Sequence, residues 1–577
     1  MTSSGSNPSN NTICAYTRAI VVAPGSGRKV ARWPHCDGIL PAASAATTIG
    51  RVAERSEQPD LSTGAEVVVN RLLAEGVDVC FANPGTSEMH FVAALDAAPA
   101  MRPVLCLFEG VATGAADGYA RIAGSPAATL LHLGPGMANG LANLHNARRA
   151  FSPVVNVVGD HATYHQPLDA PLESDIDALG HWAHGSVHRP ESAAGLDAAV
   201  HAAVQSATGT PGSVATVILP ADYSWGSAPQ NPLSDKASEQ PSPRTEEELD
   251  IAAAADLLRG QGQRAVMLLG GAATDTDGLR AAARINAATG ARVLVETFPA
   301  RLARGQGVPP IERLGYLAEQ ATQQLSGATH LVLVGAKSPV SFFAYPGKPS
   351  VLVPDGADVQ TLNIDDLVGL AEKLGGAEPV APEPEPAELP TGPLNPQTLA
   401  QVIAALLPED AIISDEANTS GVFLPAATAS APRHDVLTLT GGAIGQGLPV
   451  AVGAAIAAPH RPVIALQSDG SAAYTISALW TMAREQLDIT VVILNNHAYA
   501  ILQLELLRVG SQADGERSRS LLDLSRPDID FASIAQGFGV PATRATTAEE
   551  LADQFRAALD EPGPHLIDAA LPTWSPG

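Results

Sequence analysis

The sequence predicts an α/β protein built from three doubly wound parallel-sheet domains. Three observations predict it. Short β-branched runs alternate with helix-periodic stretches from about residue 62 to the end, the order that gives parallel sheets. Two Pro-rich segments, 226–248 and 377–389, interrupt that alternation and read as linkers. A chain of 577 residues is also too long for one core.

The resulting division is 62–228, 245–376 and 392–577, preceded by an extension, 1–61. The extension is nearly free of acidic residues before Glu54. It carries Arg18, Arg28, Lys29, Arg32 and Arg51 among many Ser and Asn. That composition fits a targeting-like or disordered segment, outside the fold.

The first domain opens with a helix capped by Ser62 or Thr63, with Glu66 in its first turn, and ended by Gly76. Strands are expected at 77–82, 104–108, 128–133, 154–158 and 214–219. A small-residue helix is expected at 110–122, and a loop at 134–139. Glu109 should stand at the end of the second strand. In the central domain the pattern reads helix 247–258, strand 265–269, helix 276–289, strand 292–296 and strand 330–334. The second linker contains Pro-Glu-Pro-Glu-Pro, an extended and self-repelling spacer.

Composition excludes several classes. A formal charge of −26 argues against nucleic acid or an anionic membrane as partner. No apolar run has the length of a membrane span. The four cysteines, Cys14, Cys36, Cys80 and Cys106, show no CxxC spacing, which fits a reducing, cytoplasmic compartment and no structural zinc.

The most informative stretch is 462–499. An apolar strand ends at Leu466, and Ser468-Asp469-Gly470-Ser471 make a tight turn. Tyr474, Ile476, Leu479, Trp480, Ala483 and Leu487 follow at helical spacing, and a second strand, 489–494, ends in Asn495-Asn496. Ligands of such sheets sit at the carboxyl ends of the strands. Asp469 and Asn496, 27 residues apart (496 − 469), both fall there. A carboxylate, an amide carbonyl and a backbone carbonyl near Ala498 are hard oxygen ligands suited to Mg²⁺ shared with a phosphate-bearing molecule. Gly470 and Ser471 would let the backbone approach a diphosphate.

This stretch resembles the thiamine-diphosphate signature, in which Gly-Asp-Gly is followed one βαβ unit later by Asn-Asn; Ser468 departs from its first glycine. Phe108-Glu109 followed by Ala116-Asp117-Gly118-Tyr119-Ala120-Arg121 resembles the activating-glutamate segment of the acetohydroxyacid synthase and benzoylformate decarboxylase superfamily. Asn83-Pro84-Gly85-Thr86-Ser87-Glu88 is similar to the decarboxylase loop whose hydroxyl residue, matching Thr86, contacts the substrate carboxylate. His132 stands 23 residues after Glu109 (132 − 109), the register of the decarboxylase's active-site histidine. Gly134-Pro135-Gly136 is synthase-like.

The resemblance implies pyrimidine-binding, central and diphosphate-binding domains. It implies thiamine diphosphate and Mg²⁺ as cofactors, with FAD left open. Glu109 and His132 would be catalytic, and Thr86 and His132 would meet the substrate. Glu109, Gly442, Ile444, Asp469, Gly470, Ser471 and Asn496 would bind the cofactor, and Asp469, Asn496 and Ala498 the metal. Gly442 would offer its carbonyl to the 4′-amino group, and Ile444 would hold the cofactor in its bent form. The reaction implied is decarboxylation of a small-molecule 2-oxo acid through a C2 ylid and an enamine, in a homodimer or homotetramer with sites at the subunit interface. An acetolactate-synthase-like carboligase is the alternative, and a non-catalytic binding relative a third. Departures are the absence of a histidine in 339–344 and of a tryptophan in 501–506. Gly159-Asp160-His161 and Glu173 are further candidate polar contacts.

Overall fold

The computed structural model describes residues 62–183, 185–229, 247–344, 348–379, 388–508 and 515–573. The extension and the middles of both Pro-rich segments lie outside the described residues. Three sheets organise the rest, and they are parallel apart from one edge strand.

The first sheet runs, in spatial order, Arg102–Leu105, Val79–Asn83, Ala127–Leu131, Val154–Asp160, Val214–Pro220 and Ser186–His188. The chain moves outward from Val79–Asn83 to Arg102–Leu105 and then crosses back to Ala127–Leu131. The crevice between Val79–Asn83 and Ala127–Leu131 is therefore the switch point where ligands bind. Its opening helix, Gly64–Ala74, starts from Thr63. The Thr63 hydroxyl accepts from the Glu66 N–H, and the Glu66 carboxylate accepts from the Thr63 N–H, a reciprocal capping box.

Two expectations are corrected here. The second strand stops at Leu105, so Glu109 does not end it. Glu109 is instead the first residue of the helix Glu109–Ala123. The segment 134–139 is not a loop, because the helix Leu133–Arg149 begins directly after His132. Pro135 is tolerated there because first-turn amides have no helical partner.

The central sheet orders Arg292–Val295, Ala265–Leu269, His330–Val334, Asp358–Leu362 and Glu247–Leu249. The helix expected at 247–258 is divided. Glu247–Leu249 pairs with 360–362 as an edge strand, and Asp250 then caps the helix Ile251–Gln261 through the Ala253 N–H. The third sheet orders Leu302–Arg304, His434–Thr438, Ala411–Glu416, Val463–Ser468, Ile489–Asn495, His565–Ala570 and Ala542–Ala545. Its antiparallel edge strand, Leu302–Arg304, comes from the stretch that sequence groups with the central domain. Its switch point lies between Ala411–Glu416 and Val463–Ser468. The helical spacing read after Asp469 is broken into Asp469–Ala472 and Ala478–Glu485. Between them the Thr475 hydroxyl turns to the Gly445 carbonyl at 3.0 Å, which fixes the chain in a non-helical path.

First and third sheets meet through two helices, Glu109–Ala123 and Gly447–Ala457, at backbone distance. A β-carbon on Gly118 would stand 2.2 Å from the Val450 carbonyl oxygen, and one on Gly453 would stand 1.9 Å from that of Ala115. Beside this contact lies a buried ion pair. Arg121 grips Asp117 one turn back at 2.8 and 2.5 Å. It also donates to the Thr438 carbonyl at 2.8 Å, the Thr440 hydroxyl at 3.0 Å and the Ala300 carbonyl at 3.4 Å. One guanidinium thus joins parts of all three sequence regions. Replacing Arg121 by Met strands the Asp117 charge in the interior. It should destabilise the fold by about 3–5 kcal/mol, read as a shift in the denaturation midpoint.

Candidate active site

Third-sheet residues build one half of the site. Register places Ser468 opposite Leu494, so Asp469 and the 495–498 loop leave adjacent strand ends together. Asp469 is buried. Its Oδ1 accepts from the Gly470 N–H at 2.8 Å, while Oδ2 has no hydrogen-bond partner among the described residues. Burial raises its pKa, and the nearby N–H groups of Gly470, His497 and Ala498 oppose that rise. An unpartnered carboxylate oxygen at this depth fits a cation. The Asn496 amide is fixed at both ends. Its Oδ1 accepts from the Ala498 N–H at 3.0 Å, and its Nδ2 donates to the Ser420 hydroxyl at 3.1 Å. His497 between them holds φ +58, a left-handed conformation rare for non-glycine residues, and its ring pairs with Asp528 at 2.8 Å.

Ser468, the departure from the signature, is used. Its hydroxyl accepts from Asn418 Nδ2 at 2.8 Å and bonds the Ser471 hydroxyl at 2.9 Å. Gly470 has its own steric reason, because a β-carbon there would stand 2.4 Å from the Tyr499 ring.

Across the switch point stands Glu416, which sequence reading missed. Its two carboxylate oxygens accept from the Gly445 and Gly447 N–H groups, each at 2.7 Å. The carboxyl thereby shapes the glycine-rich turn that carries Gly442 and Ile444. Gly442 and Gly445 both hold positive φ, +75 and +93, which tightens the turn. The available signal was two acidic residues, Asp415 and Glu416, ending an apolar strand.

The helix Leu133–Arg149 fastens the same turn from the first domain. Asn146 Nδ2 donates to the Ala443 carbonyl at 2.8 Å and Asn143 Nδ2 to the Gly445 carbonyl at 3.3 Å. His145 Nε2 meets the Gly441 carbonyl at 3.1 Å.

First-domain residues build the other half. Glu109 is buried, and its Oε2 accepts from Asn139 Nδ2 at 2.9 Å. A β-carbon on Gly136 would stand 3.0 Å from Glu109 Oε1 and 3.3 Å from His132 Cβ, so the glutamate and the histidine converge on that glycine. His132 Nδ1 faces Glu88 Oε2 at 2.8 Å, and the same oxygen accepts from the Gly85 N–H at 2.8 Å. The Glu88 side chain is fully buried. A carboxylate in that position takes the Nδ1 proton as its hydrogen bond, which leaves Nε2 as the nitrogen free to exchange a proton. The imidazole lies on Gly85, where a β-carbon would stand 2.2 Å from Nδ1. Thr86 is exposed on the turn Thr86–Glu88. Ser87, not Thr86, is the hydroxyl near the histidine, at 3.4 Å from Nδ1. Glu88 and Ser87 were the residues missed in this half.

Asp160 is committed elsewhere, to Arg189 at 2.7 Å, Gln166 at 2.8 Å and the His161 N–H at 2.7 Å. His161 Nε2 and Glu173 Oε2 are buried without hydrogen-bond partners among the described residues. Within one chain no direct hydrogen bond among the described residues joins Glu109 or His132 to the 469–498 half.

Residues 62–182 match the family described as thiamine pyrophosphate enzyme, N-terminal TPP binding domain, and residues 400–569 match its C-terminal TPP binding domain. The chain belongs to the thiamine-diphosphate enzyme family. It is 59% identical over 518 residues to a Mycobacterium tuberculosis protein, IlvX, named after the acetolactate synthase large subunit. That alignment spans 88% of this chain and 99% of the relative. It is 30% identical over 546 residues to a benzoylformate decarboxylase of Pseudomonas aeruginosa, covering 88% and 98%. Among solved structures, a thiamine-diphosphate-dependent 4-hydroxybenzoylformate decarboxylase of Rhodococcus jostii superposes with a TM-score of 0.76. It shares 25% identity over 89% of this chain and 99% of that one. The fold and the cofactor family expected from sequence both hold. The protein is a thiamine-diphosphate-dependent enzyme of the acetolactate synthase and benzoylformate decarboxylase family.

Burial pushes the Glu416 carboxyl from its ordinary 4.5 up to about 7, against the pull of the Gly447 and Gly445 N–H groups. A raised carboxyl pKa means that the folded state holds its proton to higher pH than the unfolded chain does. The stability from this group is then full below about pH 4.5 and falls as pH rises toward about 7. Glu416→Gln should remove that component. Denaturation of both proteins across this window should show the difference moving in the variant's favour as pH rises; a constant difference would contradict the assignment.

Proposed function

We propose that the protein decarboxylates a 2-oxo acid with thiamine diphosphate and Mg²⁺ and then protonates the product, in the manner of a benzoylformate decarboxylase. The observation that carries this reading is the Glu88–His132 pair in the same crevice as Glu109, with His132 Cβ and Glu109 Oε1 both against Gly136. Bound thiamine diphosphate supplies an electron sink for the carbanion left when CO₂ departs. Asp469, Asn496 and the Ala498 carbonyl would hold the metal and through it the diphosphate, as the unpartnered Asp469 Oδ2 suggests. Glu109, oriented by Asn139, would exchange a proton with the pyrimidine ring nitrogen. His132, with Nδ1 tied to Glu88, would deliver a proton from Nε2 to the reacting carbon or oxygen. Ser87 beside it, and Thr86 on the same turn, would be hydroxyl donors for the substrate carboxylate.

Within one chain no direct hydrogen bond among the described residues joins Glu109 or His132 to the 469–498 segment. A site completed by a second copy, in a homodimer or homotetramer, fits that arrangement. Among the described residues no helix is long and apolar enough to cross a membrane.

Purified protein loaded with thiamine diphosphate and Mg²⁺ should release CO₂ from members of a 2-oxo acid panel, with an aldehyde as product. Glu109→Gln should lower that rate by about 10²-fold or more. No release from any acid, with cofactor demonstrably bound, would sink the enzyme reading and leave a binding protein.

A second reading, a synthase-like carboligase with FAD, draws on the relative named after the acetolactate synthase large subunit and on one feature of the central domain. Arg148, Arg149 and Lys337 gather near Glu296, which follows a strand of the central sheet. Burial and their mutual repulsion lower the pKa of Arg148 and of Lys337. Such a cluster suits a diphosphate. Glu296 opposes it: its carboxyl packs against Gly270 beside the crevice between Ala265–Leu269 and His330–Val334, with a pKa raised to about 7 by burial. The decarboxylase reading expects a colourless preparation. Flavin absorbance that persists through purification, with acetolactate formed from pyruvate, would replace it with the synthase reading.

A further inference from the structure

His497 stands between Asn496 and Ala498, and its backbone decides how their two oxygens are set relative to each other. Its φ of +58 lies in the left-handed region, which is disfavoured for any residue with a β-carbon. Three contacts hold it there. The His497 N–H reaches Asn495 Oδ1 at 3.4 Å, and the His497 carbonyl accepts from the Leu524 N–H at 2.9 Å. Those two use backbone groups that most residues at 497 would offer. The third depends on this side chain: His497 Nδ1 lies 2.8 Å from Asp528 Oδ1.

Asp528 comes from a segment that runs beside the loop. The Tyr499 N–H donates to the Leu522 carbonyl at 3.0 Å, and Ala498 bridges Asp523 in antiparallel sense. Residues 522–528 thus brace 497–499. Asp528 is in turn tied to the sheet. Its Oδ2 faces Arg544 Nη1 at 3.7 Å, and the same nitrogen faces Asp568 Oδ2 at 3.5 Å. Asp568 is fully buried, and its Oδ1 accepts from Asn495 Nδ2 at 3.0 Å. Arg544 and Asp568 are register partners on the strands Ala542–Ala545 and His565–Ala570. The contacts run from Asn495 through Asp568, Arg544 and Asp528 back to His497, so Asn496 is held on both sides.

Exposed ion pairs ordinarily contribute little to overall stability, and Asp528 and Arg544 are both exposed. What Asp528 holds is local, one backbone turn that the histidine would otherwise leave. We propose, on the reading that Asn496 and the Ala498 carbonyl hold the metal, that Asp528 is a positioning residue for it: through His497 it keeps both oxygens preset for a divalent cation. Nδ1 donates to the carboxylate in the neutral ring as well as in the charged one, so the brace does not depend on titration. Glycine adopts the left-handed turn unaided, which separates the dihedral from the bond that maintains it.

The test is equilibrium dialysis of thiamine diphosphate against the full chain over a range of Mg²⁺ concentrations. Asp528→Ala should raise the Mg²⁺ concentration at half-saturation by about 10-fold or more, with the saturating amount of cofactor unchanged. In a His497→Gly background the same substitution should cost less than about 2-fold. In the metal-free protein, amide hydrogen exchange over 495–499 should quicken by about 5-fold or more in Asp528→Ala while the strands of the third sheet keep their protection. An unshifted Mg²⁺ midpoint in Asp528→Ala overturns the proposal. So does an equal shift in the glycine background, because Asp528 would then not act through the dihedral. A lowered plateau with faster exchange throughout the third sheet marks general loosening and overturns it as well. Wild-type protein that takes up no thiamine diphosphate, or takes it up without regard to Mg²⁺, removes the metal reading itself and the positioning role with it.

Discussion

The structure depends on two helices being allowed to touch backbone to backbone. Glu109–Ala123 and Gly447–Ala457 approach so closely that Gly118 and Gly453 have no space for a β-carbon. Ridge-into-groove packing ordinarily keeps helix axes about 8–10 Å apart, with side chains filling the gap. Small residues remove the gap, and backbone packs on backbone. Burying that much main chain leaves little lateral tolerance, so the contact fixes where the first sheet sits against the third. The Asp117–Arg121 pair then locks it. Both groups are buried, and every arm of the guanidinium has an acceptor. A buried pair of this kind adds little net stability over an apolar substitute, but a wrong docking would leave a bare charge inside. Its contribution is to make one arrangement much better than its neighbours.

Once that docking is set, the helix Leu133–Arg149 works as a ruler. Its Asn139 orients Glu109, and four and seven residues later Asn143 and Asn146 hold the turn that carries Gly442 and Ile444. Residues at these spacings lie along one side of a helix. Hydrogen bonds from a single rigid element thus position both the Glu109 carboxyl and the Gly441–Gly445 turn. A tilt of this helix would move both together, which preserves their relation better than two independent loops would.

Much of this was legible in the sequence, and the reasons are specific. The 469–496 spacing places two strand ends side by side because a parallel crossover has only one way to return. Glu109 was legible as a residue, yet its element was misassigned. The apolar run ending in Phe108 looks like a strand throughout, while only its first residues find a ladder partner. The helical reading of 134–139 was hidden by Gly-Pro-Gly, whose local preferences favour a loop until tertiary contacts overrule them. Glu88 and Glu416 were hidden for another reason. Each acts by accepting backbone N–H groups, from Gly85 and from Gly445 and Gly447, and such bonds leave no spacing in the sequence. Ser468 looked like a weakness of the signature. In the fold its hydroxyl joins Asn418 to Ser471, so the departure is compensated.

The two switch points explain why one chain holds two separate crevices. In the first sheet the reversal falls between the strands that deliver Glu88 and His132. In the third it falls between those that deliver Glu416 and Asp469. Each reversal opens a crevice at carboxyl ends, and each crevice is lined by one kind of chemistry. The first holds a histidine whose Nδ1 faces the Glu88 carboxyl and a glutamate oriented by an amide. The third holds a buried carboxylate with one oxygen unpartnered among the described residues and an amide fixed at both ends. A molecule with a diphosphate at one end and a titrating ring at the other needs both. The backbone contact between the two helices fixes how the two crevices of one chain sit relative to each other, because Gly118 and Gly453 leave no space for either helix to shift outward by a side chain.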